Sequence, residues 1–134
     1  MHRTLRLALI AAFLAAPLRA EPPVADLAVS LRCAAAFGIV ASEQKRGIAS
    51  ALADYPPLGL RGREFFVQVG ARLMDEQRLS REAMQARYKA EIEGLQAETM
   101  AAPDAKTAVA AIMAPCLKLL DATIPAEPDA GRTP

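Results

Sequence analysis

SLRCAAAFGIVA, residues 30–41, decides the fold. Nearly every residue in it is small or apolar, and it holds one thiol, Cys33. Wound as a helix, Leu31, Ala34 or Ala35, and Gly38 fall on one stripe with Leu27, while Cys33, Phe37 and Val40 fall on the adjacent one. A helix apolar on most of its sides belongs at the centre of a core. Ala34, Gly38 and Ala41 add small residues at near-helical spacing, which lets a neighbouring helix come close. Arg32 and Glu43 bracket the stretch and leave it far too short to span a bilayer, which takes about 20 apolar residues.

Cys33 has three possible uses: nucleophile, metal ligand, or half of a disulfide. The first two need partners. The one histidine of the chain is His2, so the residues after position 2 offer no imidazole for Cys-His or Ser-His-Asp chemistry. Two cysteines, Cys33 and Cys116, cannot fill a four-coordinate thiolate site, and they form no C-x-x-C. No metal and no cofactor is expected. What remains is a Cys33–Cys116 disulfide, or two buried thiols packed as small apolar groups.

The start of the chain favours the bridge. MHRTLRLALIAAFLAAPLRA, residues 1–20, places Arg3 and Arg6 before an apolar run from Leu7 to Ala16, then Pro17 and an A-x-A-like end. That order is a secretory signal peptide, cleaved before Glu21; the competing reading is an uncleaved anchor. Export means an oxidising compartment, periplasmic or secreted, where an even cysteine pair is oxidised. The bridge would close most of the mature chain into one loop, worth roughly 4–5 kcal/mol in the chain-entropy model.

Three arginines and no acid lie in residues 1–20, so the remaining 114 residues carry 13 basic against 15 acidic side chains, a net −2. The basic footprint of a nucleic-acid binder is missing. No membrane span is expected once the signal is removed. The expected organisation is therefore signal peptide over 1–20, a helical domain over 21–124, and a disordered tail over 125–134, where PAEPDAGRTP holds proline and small polar residues without apolar period.

Between those limits the pattern is helical throughout, with no alternation of period two. The first helix is expected from Pro23 or Val24 to about Ala53, with Gly47 a place to bend or fray. DYPPLGLRG, residues 54–62, breaks it, since consecutive prolines cannot continue a helix. A second helix, from Leu60 or Arg61 to Gln77, lines up Phe65, Val69 and Leu73, with Phe66 and Met74 beside them. Ser80 caps a third, whose buried stripe is Met84, Tyr88, Ile92 and Leu95 and whose wet face pairs Arg87 with Glu91 and Lys89 with Glu93. A fourth starts at Ala102 or Pro103 with Asp104 near its positive end, and Pro115 inside it should kink it or split it in two. The fold class is all-α: a single-domain four- to five-helix bundle stapled by one disulfide.

Sites are scarcer than structure. Glu43 and Glu64 adjoin apolar runs, and a buried glutamate can serve as a general acid, but neither shows a second carboxylate beside it in sequence. Arg61, Arg63, Arg72, Arg78, Arg81 and Arg87 enrich the middle third in guanidinium groups, interleaved with Asp75, Glu76 and Glu82 as on a solvated mixed surface. Tyr55, Pro56, Pro57 and Leu58 form a rigid apolar loop, read either as a partner-contact edge or as a turn tucked into the core. No catalytic residue is assigned.

Three segments, CAAAFGIVASEQ (33–44), YPPLGLRGREFF (55–66) and APCLKLLDA (114–122), resemble a group of uncharacterised exported helical proteins of Gram-negative bacteria. The resemblance covers most of the mature chain and implies no activity. In architecture alone the chain is similar to acid-activated periplasmic chaperones, which are short, exported, helical and singly bridged. The Cys33–Cys116 spacing is much wider than theirs, and no residue role carries over. The expected function is an exported binding or structural module whose partner is another periplasmic protein. The alternatives are a periplasmic stress or acid chaperone and a carboxylate-dependent cell-wall hydrolase.

Overall fold

Asp26 caps the first described helix. Its backbone is non-helical, and its carboxylate accepts the Ala28 N–H at 2.9 Å, so α1 (Leu27–Lys45) starts at Leu27 rather than at Pro23 or Val24. The computed structural model describes residues 26–126. The expected signal peptide (1–20) and residues 127–134 of the expected tail lie outside the described residues.

α1 is followed by α2 (Ala49–Asp54), α3 (Gly59–Gln77), α4 (Arg81–Ala101) and α5 (Ala105–Thr123), with no strand among the described residues. The first helix does not run to Ala53. Gly47 adopts φ 77°, its N–H bonds to the Gln44 carbonyl, and the Ile48 N–H reaches back to the Glu43 carbonyl. This paired closure by a left-handed residue ends a helix, and only glycine enters it without steric cost. α2 is the remnant beyond it. Ser80 and Asp104 cap α4 and α5 by accepting the Ala83 and Lys106 N–H groups, so α5 begins two or three residues later than expected. The Thr107 hydroxyl also donates to Asp104 and, as the first cause, holds its carboxyl below the usual aspartate range.

α1 touches all four other helices and is the axle of the fold. Leu31, Cys33, Ala34, Ala35, Ala36, Phe37 and Val40 are all buried, covering most of its circumference. α3 packs along it most extensively. Phe65 meets Phe37 edge to face, with ring centres 5.3 Å apart, and Gly62 sits so close that a Cβ there would lie 3.2 Å from Phe37 Cβ. Val69 and Leu73 complete the expected α3 stripe. One turn before Phe37, Cys33 is joined to Cys116 of α5 in a disulfide, with Cα atoms 5.2 Å apart across 83 residues of sequence.

Of the two alternatives for Pro115 the split is removed, and one expected ion pair is corrected. Pro115 does not split α5, which runs unbroken from Ala105 to Thr123. Pro115 and Ala111 are both exposed, so the carbonyl four residues back that proline cannot serve is open to water. Arg87 does not pair with Glu91; its guanidinium donates to the Gln77 side-chain oxygen, tying α4 to the end of α3. Lys89 and Glu93 do pair, at 3.6 Å.

Candidate functional site: a cleft between α1, α4 and α5

The loop after α2 is held by one side chain. Gln44 Nε2 lies 3.0, 3.3 and 2.9 Å from the carbonyls of Ala51, Tyr55 and Pro56, and Gln44 Oε1 accepts the Leu58 N–H at 3.1 Å. Two amide hydrogens are thus shared among three carbonyls, and the oxygen takes a fourth bond. Leu58 is fully buried beside Gly62, Tyr55 is half-buried, and Pro56 and Pro57 are exposed. Burial, and then the Asp54 carboxylate, push the Tyr55 phenol above its usual pKa. The four loop residues therefore do not form one apolar edge; Leu58 belongs to the core.

Two openings lie elsewhere among the described residues. Where α1 faces α4 and α5, a cleft of about 610 Å³ remains. Its floor is Ala36, Val40, Leu95 and Met113, all buried. Its walls are the half-buried Ile39, Ile92, Val109 and Ile112. That volume lies in the range of small-ligand sites, which are mostly apolar with a few polar groups.

Tyr88 stands at one side. Its ring packs on Phe66 with centres 4.5 Å apart, and a Cβ on Gly38 would overlap its hydroxyl. Gly38 therefore makes room for a phenol, not for the close approach of a helix backbone. Burial holds the Tyr88 phenol above its usual pKa. Thr99, also on the cleft, spends its hydroxyl on the Leu95 and Gln96 carbonyls of its own helix.

The charged groups of the cleft are Glu43 and Arg46, on the last turn of α1 and at its C-terminal cap. Among the described residues neither forms an ion pair. No protein family model, curated protein or solved structure matches the chain.

Glu64, the other carboxylate singled out in the sequence, lies exposed on α3 and does not line the cleft. Glu43 and Glu64 do not converge, and no other Asp or Glu lines the cleft among the described residues. The arginine-rich segment is dispersed: Arg61 donates to the Ile124 carbonyl at 2.6 Å and pairs with Asp121 at 2.7 Å, closing the end of α5, while Arg72 pairs with Glu76 within α3. A second hollow of about 630 Å³ lies beside the disulfide, and its edge is bridged by Arg32 and Glu98 at 2.7 Å. No group of three or more potential metal ligands occurs among the described residues.

Ile39, Ile92, Val109 and Ile112 carry no sequence signal that separates a cleft wall from a core contact. Apolar period reports which face of a helix is dry, not how far off the facing helix stands.

Proposed function

We propose that this chain is an exported, periplasmic binding module and that its working surface is the α1–α4–α5 cleft rather than the Tyr55–Leu58 loop. One observation carries the reading: about 610 Å³ of open, apolar-walled space in a domain whose α1–α3 side is tightly filled. Export is supported by the basic and apolar order of residues 3–16 and by the oxidised cysteine pair. The hydrolase reading has less support, since among the described residues no second carboxylate lines the cleft with Glu43.

Two measurements test this. Intact mass of the protein from its native cell should begin at Glu21; a mature pool that retains residues 1–20 ends the cleaved-export reading. N-phenylnaphthylamine, a neutral apolar fluorophore, should bind saturably at one site. Filling the cleft by Ile92→Trp should abolish that binding with helical content unchanged. Equal binding by the variant removes the cleft from the function.

A further inference from the structure

We propose that the cleft takes a single-chain zwitterionic amphiphile, a lysophospholipid, with its acyl chain between α1, α4 and α5 and its head against Glu43 and Arg46. This rests on the cleft being the binding site.

The walls select an acyl chain. They are helix faces, whose main-chain N–H and C=O groups are already bonded within α1, α4 and α5. An extended peptide would bring its own unpaired main-chain groups against Ile39, Ile92 and Val109, where nothing receives them. A hydrocarbon chain brings none.

The length and polarity of the cleft set the orientation. Arg32 meets Glu98 and Gly38 meets Tyr88, so α1 and α4 run antiparallel and Gln96 and Met100 lie at the opposite end from Glu43. From Ala36 to Arg46 the cleft follows about 15 Å of helix axis. The cleft lining at that end, Gln96, Thr99 and Met100, carries no charge, and Met100 is a flexible thioether, 85% exposed, that adapts to chain ends of varied length.

The head is selected by charge. Glu43 and Arg46 are opposite in sign, three residues apart, and without ion partners among the described residues. A fatty-acid carboxylate gains Arg46 and is repelled by Glu43; an alkylammonium meets the reverse. A head with both charges presents its ammonium to Glu43 and its phosphate to Arg46, and both are matched.

The test uses the disulfide-bonded protein as its native cell processes it. Monomeric lysophosphatidylcholine, the fatty acid of equal chain length and the matching alkyltrimethylammonium are each titrated against bound N-phenylnaphthylamine, below their micelle concentrations. The lysophospholipid should displace the probe at about two- to fivefold lower concentration than either ion, the scale of a partly exposed ion pair. Glu43→Gln should raise the fatty acid to parity, and Arg46→Gln should do the same for the alkylammonium. If all three bind alike and neither variant changes their order, the head-group assignment is wrong while the cleft remains a binding site. If an apolar peptide displaces the probe more strongly than the lysophospholipid, the acyl-chain assignment is wrong. If the probe itself binds Ile92→Trp as well as wild type, the cleft reading fails and this inference with it.

Discussion

α1 meets its neighbours in two ways. Towards α3 it is filled: Phe37 and Phe65 interlock, Gly62 lets the backbones close, and Leu58 seals the end. Towards α4 and α5 the same helix leaves about 610 Å³ open, although the disulfide pins α5 to it. Both sides of α1 are built from small and apolar residues. What differs is the partner. α3 brings a glycine and an aromatic ring that match the surface of α1. α4 brings Tyr88, whose hydroxyl stands over Gly38, and β-branched side chains that line the gap instead of closing it. A small residue creates closeness only when the facing element has something that fits.

The largest effect should come from the bridge. Removing it by Cys33→Ala, Cys116→Ala or both should cost roughly 4–5 kcal/mol by the chain-entropy model, with the double variant no worse than a single one, since one bond is lost either way. Urea unfolding measures it. A double variant that costs the sum of the singles would mean that each sulfur contributes packing of its own, and the α5 side would then count as filled.

Next comes a pair of truncations that reads the two sides directly. Phe37→Ala should cost about 3 kcal/mol or more, as a fully buried ring against α3. Ile92→Ala, on the half-buried cleft wall, should cost about 1 kcal/mol. Comparable losses in thermal or urea unfolding would erase the distinction between filled side and open side.

The smallest effect is confined to alkaline pH. Burial raises the Tyr88 pKa in the folded state, so the neutral phenol favours folding. That contribution is complete below the unfolded value of about 10 and is lost as pH rises from there through the raised folded value. Tyr88→Phe should therefore show a shallower fall of stability across the alkaline range than wild type. Tyr55 is unchanged in both proteins, so the difference isolates Tyr88. Parallel pH curves would place the Tyr88 hydroxyl in bulk water.

Much of this fold is readable from residue order. The double proline, the Ser80 cap, the Phe65–Val69–Leu73 stripe and the apolar girth of α1 each follow from a local rule, and the structure places each accordingly. Gly47 was visible as a weak point; that it ends α1 outright depends on a left-handed turn. The same kind of ending occurs after α3 at Arg78, φ 52°, where the Leu79 N–H reaches the Met74 carbonyl. Nothing about an arginine announces that turn. The cleft was illegible for a different reason. Ile92 and Val109 satisfy a buried-stripe pattern whether a neighbour lies in contact or a few ångströms further off, and Glu43 and Arg46 become its charged end only through the angle at which α4 and α5 approach.

Gln44 has a consequence for how this sequence can drift. Its four contacts are all to main-chain atoms, three carbonyls and one N–H, and none is to a side chain. The clamp therefore recognises the path of the loop and ignores its spelling. Exposed positions such as Pro56 and Pro57 can be rewritten with any residues that keep that path. Position 44 is confined to a group that donates and accepts at once: glutamate of the same length would offer the three carbonyls only repulsion, and methionine no hydrogen at all. Among descendants of this chain, the loop should vary first and the glutamine that grips it last.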